Sequence, residues 1–225
     1  MVRMEFGVVN MPEVEAAINA APAKAYPAIV RAVNRATEFG KNRLLDDLTS
    51  ILTLKRADIA GKNHRFGGVK MQRATNTGNI STIAARVTVT GKRIPIYRFD
   101  AKTVGLAARE TKDGGVKVRY QVKSAKFATA YAQRNSGLGV QYQIRRAGGR
   151  KYVRSAFIAK MKSGHVGVFK RMHSKRLPIQ ELFGPSIPNV AERDVKLRNA
   201  LKVDISAKLN ERLRHELGRV FKGSA

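Results

Sequence analysis

The positive charge of this chain is concentrated in its middle. Residues 55–176 carry 29 lysines and arginines against 4 carboxylates, a net of +25, whereas residues 1–54 carry 6 of each and residues 177–225 carry 9 against 6, nets of 0 and +3. Buried unpaired cations forfeit their hydration, so any ordered structure in the middle must be half-buried, with its cations on the outer face. The total, 44 basic against 16 acidic residues or +28, lies far beyond the magnitude of about 2 to 8 that solubility favours. Such a lopsided field fits a polyanion, since each phosphate neutralised by Lys or Arg releases condensed counterions. A solvated basic face is the alternative; it is the better reading for a few extra lysines, and a polyanion partner is the better one for a surplus of +25 in one segment.

With 225 residues and 43% hydrophobic content the chain can bury a core of one domain or two, and it is not a disordered basic tail. It has no cysteine, which excludes a disulfide scaffold and any thiolate metal site. The start, Met1-Val-Arg-Met-Glu-Phe6, lacks the apolar stretch of a signal peptide, and no window approaches the roughly 18 apolar residues of a membrane span. A soluble protein made in the cytoplasm, without a membrane partner, is expected.

The first segment reads as helical. Asn10 is placed to cap a helix whose first turn holds Pro12, Glu13 and Glu15. Pro22 and Pro27 are expected to interrupt or restart it, and from Ala28 the residues Ile29, Ala32, Val33, Ala36, Leu44, Leu48 and Ile51 recur at helical spacing. A short helix over Leu54–Ala60 ends at Gly61, and 63–78, rich in Gly, Asn and basic groups, reads as a loop or arm.

From Ser81 the period falls to two, with Ile83, Ala85, Val87 and Val89 on one side and Thr82, Arg86, Thr88 and Thr90 on the other. A second strand, Val116–Lys123, has a largely cationic outer face, and Ala156–Ala159 with Val166–Phe169 reads as a hairpin around Ser163-Gly-His165. An antiparallel sheet of about three to five strands follows. Ser124–Arg150 is an inserted hairpin or a mobile loop. Pro185 and Pro188 punctuate a linker, and Asn189 opens a final helix with Ile205, Leu209, Leu213, Leu217 and Val220 about four residues apart. That stripe must pack on the sheet, on the first long helix or on another subunit. The expected fold is α+β: N-terminal helices over 1–60, a basic β-rich core over 61–188 with the 124–150 insertion, and a C-terminal amphipathic helix over 189–225.

No chemistry suggests itself. A nuclease needs clustered carboxylates for divalent metal, but the basic segment offers only Asp58, Asp100, Glu110 and Asp113 at no ligand spacing. The histidines, His64, His165, His173 and His215, are scattered. Neither a Gly-x-Ser-x-Gly elbow nor a phosphate-binding Gly-x-x-x-x-Gly-Lys-Ser/Thr loop is present. No catalytic residue, metal or cofactor is therefore expected, and the chain reads as a non-enzyme. Basic and aromatic residues interleave at Tyr97, Arg98 and Phe99, at Arg119 and Tyr120, and at Phe169, Lys170 and Arg171, but strand alternation explains this as well as base stacking does. Backbone charge contact is the better reading. Its candidate residues are Arg86, Lys92, Arg93, Arg98, Lys117, Arg119, Lys123, Arg145, Arg146, Arg150, Lys151, Lys170 and Arg171.

Two segments share a form, Arg93-Ile-Pro-Ile96 and Arg176-Leu-Pro-Ile179. Proline cannot donate to a strand ladder, so each is expected at a sheet edge or leaving the sheet, where a neighbouring subunit can dock. Pro95, Ile96, Leu177, Pro178, Ile179, Pro185 and Pro188 are the candidate docking residues.

The order of segments then becomes informative: Arg93-Ile-Pro-Ile-Tyr-Arg-Phe99, a Lys-rich strand, Ala156-Phe-Ile-Ala-Lys-Met161, Ser163-Gly-His-x-Gly-Val-Phe169, and Arg176-Leu-Pro-Ile-Gln-Glu-Leu-Phe-Gly-Pro-Ser-Ile-Pro188. This order resembles the prophage minor tail protein Z family of lambda-like tailed phages. The resemblance spans most of the chain, including Ile29-Val-Arg-Ala-Val-Asn-Arg-Ala36, and its most specific part is the run from Leu-Pro-Ile to Gly-Pro-Ser-Ile-Pro. Ser124–Arg150 departs from it in being longer than the usual connection. The resemblance implies a tail-completion protein at the head-proximal end of the virion tail, assembled in the host cytoplasm. It also implies a homo-oligomeric ring with tail-terminator and tail-tube proteins as partners and genomic DNA in the lumen. A nucleic-acid-binding protein outside any virion is the alternative.

Overall fold

The computed structural model describes residues 2–7, 12–61, 66–104, 107–109, 118–120, 139–173 and 177–222. They fall into two compact units, one formed by 1–49, 55–92 and 186–225, the other by 50–54 and 93–185. The division is therefore not the expected run of three consecutive segments: both terminal helical regions and the strand at Ser81 share one unit. The α+β character holds, with helices towards both ends of the chain and antiparallel strands between.

The first unit is built on two long helices. Helix α1, Pro12–Ala20, starts on a proline with Glu13 and Glu15 in its first turn and buries Val14 and Ala17. Helix α2 runs from Pro22 to Ile51 without a break. Pro22 opens it, as proline can, and Pro27 lies one turn in, where it removes a single hydrogen bond that the following turns outweigh. The expected restart at Ala28 is thus replaced by a helix six residues longer. The proposed Asn10 cap lies outside the described residues. Helix α3, Arg56–Ala60, ends on Gly61 in the left-handed conformation.

Two strands of this unit were not expected. Strand β1, Val2–Gly7, pairs with β3, Ala84–Gly91, and β2, Gly67–Gln72, pairs with the other side of β3. The region read as a loop over 63–78 therefore contains an edge strand. Its opening glycines are required by the backbone beside them: a Cβ on Gly68 would stand 2.4 Å from the Gly61 Cα. A 3-10 turn at Ile80–Thr82 precedes β3, whose Ala85, Val87 and Val89 face inward as the alternation predicts.

At the other end of the chain Ser186 caps α4, Ile187–Arg193, accepting from the Asn189 N–H at 3.4 Å, so Asn189 is an inner residue and not the cap. Pro188 sits in the first turn. The Asp194 carboxylate then accepts from the Leu197 N–H at 3.1 Å and starts α5, Val195–Lys222. The stripe Leu209, Leu213, Leu217 and Val220 packs against Val14, Ala17, Ile29, Ala32, Val33 and Ala36, so the open question of its partner is answered within the chain. Each fully buried Leu or Ile in such a contact contributes about 1.5–3 kcal/mol. The loop after β2 is tied to α2 by Asn34, whose side-chain amide donates to the Ala74 carbonyl at 3.0 Å and accepts from its N–H at 2.8 Å, in the manner of a strand neighbour.

The second unit has β4 Lys102–Val104, β5 Ala107–Arg109, β6 Val118–Tyr120, β7 Gly139–Tyr142, β8 Lys151–Arg154, β9 Ala156–Lys160, β10 Val166–Arg171 and β11 Ile179–Glu181. They form antiparallel sheets in the orders β4-β7-β8 and β11-β10-β9, with β5 and β6 as a separate pair, instead of one continuous sheet. The expected hairpin is β9–β10. Of the strand expected over Val116–Lys123 only 118–120 are described, and of the insertion at 124–150 the end forms β7 and its following turn. Between β8 and β9, Ser155 takes a left-handed conformation (φ 62°) that turns the chain from one sheet to the next. Ile96, Val140, Ala156 and Val168 form the core that the two sheets share.

Glu216 on α5 is the fully buried charge of the first unit, and Arg31 Nε and Arg35 Nη1, successive turns of α2, reach it at 2.9 and 3.1 Å. Burial alone would raise its carboxyl, but the hydrogen bond from Arg31 and the charges of Arg31, Arg35 and Arg219 outweigh that and hold it below its ordinary value of 4.5. A carboxyl lowered on folding contributes stability above its unfolded pKa and loses it as pH falls through the folded value. Glu216→Gln is expected to cost about 1–3 kcal/mol at neutral pH. Urea unfolding as a function of pH should show a shallower acid loss for the variant than for the native chain.

Candidate polyanion interface

Strands β7 and β8 are joined by Gln143-Ile-Arg-Arg-Ala-Gly-Gly-Arg150, which holds three of the expected contact residues, Arg145, Arg146 and Arg150, and is followed at once by a fourth, Lys151, the first residue of β8. All four are exposed. Gly148 and Gly149 mark the turn in the sequence, but what fixes its shape comes from elsewhere in the chain. Leu52 bridges to Arg145, the Thr53 N–H donates to the Ile144 carbonyl at 3.1 Å, and the Arg146 N–H donates to the Ile51 carbonyl at 2.9 Å. Thr53 Oγ1 donates to the Gln143 carbonyl, and Arg146 Nε to that of Leu52 at 3.0 Å. Leu52 and Leu54, beside these bonds, are buried and anchor the segment.

Gln143 closes the turn from inside. Its N–H donates to the Phe99 carbonyl at 3.0 Å, and its side-chain amide donates to the carbonyls of Arg146 and Gly148 at 3.0 and 2.7 Å. Asp100 holds the far side. In a left-handed conformation (φ 47°) that aspartate tolerates, it accepts from Arg150 through its carboxylate and backbone carbonyl, and its second oxygen lies 3.4 Å from Lys102 Nζ. The guanidinium of Arg150 is thereby oriented as well as partly neutralised.

The second unit holds 21 lysines and arginines and 4 carboxylates, hence +17, and the first 23 against 12, hence +11. Of the four carboxylates, Asp100 is taken by Arg150 and Lys102, Glu181 pairs with His165 at 2.7 Å, and Glu110 and Asp113 lie outside the described residues. Among the described residues Arg93, Arg145, Lys151, Arg154, Lys160 and Lys170 are exposed or edge cations with no ion pair. Cations left in water without a counter-charge keep their full field for a ligand.

The remaining candidates are dispersed. Arg98 lies on the 3-10 turn Ile96–Arg98, just before Phe99 and Asp100 and so close in sequence to the basic turn. Lys170 is the exposed position of β10, and Arg171 stands over the Phe157 ring at 4.8 Å. Arg86 and Lys92 belong to the first unit, where Arg86 is half-buried and pairs with Glu5 at 3.1 Å. Arg119 lies in β6, and Lys117 and Lys123 fall outside the described residues.

Of the docking candidates, Pro95, Ile96 and Pro188 are buried in their own units and serve intrachain packing. The first motif meets the segment that follows the second: Pro95 bridges to Phe183, and the Ile96 N–H donates to the Leu182 carbonyl at 3.0 Å. Leu177 and Pro178 are exposed, Ile179 and Pro185 half-buried, and Ile179 begins the edge strand β11, as expected for a proline-marked edge. Sequence reasoning missed Thr53, Asp100 and Gln143. Only the Gly-Gly pair and the alternation of β8 signalled this region.

No three of the described His, Asp and Glu side chains are placed to hold a metal ion, and none of the described helices is long and apolar enough to cross a membrane. A groove of about 580 Å³ between α2 and α5 is lined by Phe39, Arg43, Asp46, Asp204, Lys208 and Glu211, charges that largely cancel. Compared with known proteins, the chain matches no family model, no curated protein and no solved structure.

If Gln143 is the internal brace of the basic turn, Gln143→Ala should speed amide hydrogen exchange at Arg146 and Gly148 by about tenfold or more, for a global stability loss of about 1 kcal/mol. Exchange mass spectrometry with a parallel thermal melt reads both.

Proposed function

We propose that the chain is a structural protein of a phage tail, acting in tail completion at the head-proximal end, and that its second unit meets DNA phosphates through the β7–β8 turn. The observation that carries the charge half is the turn itself: Arg145, Arg146, Arg150 and Lys151 are exposed together on a loop pinned by backbone bonds from Ile51–Thr53 and by Gln143. A solvated face needs no such bracing. Phosphate contact reads no sequence, which suits a lumen that passes a whole genome. The tail half rests on the ordered motifs from Arg93 to Pro188 described above. In this reading the subunits form a ring, with Leu177, Pro178 and Ile179 at the edge of the β11-β10-β9 sheet supplying the contact to a neighbour or to terminator and tube proteins. The protein acts without catalysis or cofactor.

The isolated protein is expected to bind duplex DNA without sequence preference, with affinity falling steeply between about 50 and 200 mM salt. Reversing Arg145, Arg150 and Lys151 together should flatten the log K against log salt slope by about 2 to 3, whereas reversing Lys41, Lys196 and Lys202 of the first unit should change it by less than about 1. Salt-independent binding, or equal effects of the two sets, overturns the phosphate reading. Locating the labelled chain in intact particles tests the tail reading: density at the neck supports it, and co-purification with cellular RNA in place of tail proteins supports a free nucleic-acid-binding protein instead.

A further inference from the structure

The buried carboxylate of Glu216 gathers more positive charge than it can neutralise. Helices α2 and α5 run antiparallel within the first unit: a Cβ on Gly40 would stand 2.4 Å from Ile205 Cδ1, and farther along Arg35 and Arg31, one turn apart, reach Glu216. Arg31 uses its Nε and Arg35 its Nη1, and both side chains are 50% exposed. The other N–H groups of the two guanidiniums have no acceptor among the described residues.

Along α5, Arg212 stands one turn before Glu216 and Arg219 one turn after it, on the same flank by helical spacing. Neither has an ion-pair partner among the described residues, and the Nε of Arg212 is buried without an acceptor. His215 Nδ1 stands 3.9 Å from the same carboxylate. Glu38, exposed three residues after Arg35, is the other acid on this stretch of α2, so the arginines exceed the carboxylates by four to two. Helix packing does not call for this surplus. Arg31 and Arg35 already satisfy the buried charge, and each further guanidinium beside them adds repulsion.

We propose that this seam of α2 and α5 is a phosphate-binding site, with Arg31 and Arg35 held ready by Glu216 and with Arg212 and Arg219 completing the donor set. A phosphate group offers more acceptor oxygens than a carboxylate and takes guanidinium forks from several sides. Arginines that Glu216 already orders lose less freedom on contact. A nucleic-acid backbone and a free phosphate present the same chemistry here. The site lies in the first unit and does not depend on the β7–β8 turn.

The test titrates the full chain at about 50 mM salt with inorganic phosphate and with a short DNA duplex, following the arginine Nε–H signals by NMR and duplex affinity by fluorescence anisotropy. Arg212→Gln and Arg219→Gln are each expected to weaken phosphate binding about three- to tenfold. Lys196→Gln, about five turns from Glu216 on the same helix, should change it less than about twofold. Glu216→Gln raises the net charge by one, yet it should also weaken binding about threefold or more, because its arginines are no longer held. The two arginine variants keep the Glu216 pairs and carry the test if circular-dichroism melts show that Glu216→Gln fails to fold. Losses on both ligands assign a nucleic-acid backbone and losses on inorganic phosphate alone a free phosphate; either supports the site. Unchanged phosphate binding in the two arginine variants overturns it, as does tighter binding by a folded Glu216→Gln chain. Polyglutamate binding as tightly as phosphate, with the same losses, overturns the ligand class. The losses on inorganic phosphate should persist in a chain with Arg145, Arg150 and Lys151 reversed, so that failure of the turn and failure of the seam are read apart.

Discussion

The contact between α2 and α5 is what the rest of the first unit depends on. It joins residues some 180 positions apart, Arg31 and Arg35 on one helix and Glu216 on the other, and it closes an apolar seam from Ala17 and Ile29 to Leu213 and Val220. A buried carboxylate is costly unless its lone pairs are filled, and here two guanidinium groups fill them while their own side chains remain half exposed. The arrangement keeps the charge from being wholly desolvated and fixes the register of two helices whose alanine-rich seam would tolerate sliding. With the terminal regions closed on each other, the intervening chain is free to leave the first unit and build a second, basic one.

How the two halves of the sequence revealed themselves differs in kind. The long helices and β3 were legible because a single periodicity extends over many residues, and the burial of Ile29, Leu44, Leu48, Val87 and Val89 follows it. Strand β1 shows the same alternation in Val2, Met4 and Phe6, but six residues give it little weight against a following helix. Strand β2 begins with two glycines, which read as a loop, and their reason is steric and lies in Gly61 and Gly91, outside the local sequence. Pro27 misled for the opposite reason: local propensity argues for a break, and the burial of Ala25, Ala28 and Ile29 around it overrides that.

The basic turn was legible as composition and not as architecture. Arg145, Arg146, Arg150 and Lys151 could be named from their charge, but nothing local indicates that Ile51–Thr53 supplies a bridge and four hydrogen bonds to hold the turn, or that Asp100 orients Arg150. Long-range pairing of this sort leaves no periodic trace. The two proline motifs were legible as edges, and Pro178 and Ile179 lie at one, yet the first motif is covered by the segment that follows the second, with Pro95 bridged to Phe183. A similar sequence form is thus used once inside the core and once at its rim.

A rigid cationic loop and a mobile one differ in what they can bind well. Flexible lysines on a disordered arm neutralise phosphate wherever it comes, at the cost of ordering each side chain on contact. In the β7–β8 turn part of that ordering is already complete: Arg146 is bonded through Nε to Leu52, and Arg150 is aimed by Asp100. Among the described residues, the Asp100 carboxylate therefore subtracts one charge from a large surplus while setting the direction of a guanidinium, so that the turn presents an oriented cation instead of one that must be ordered on contact.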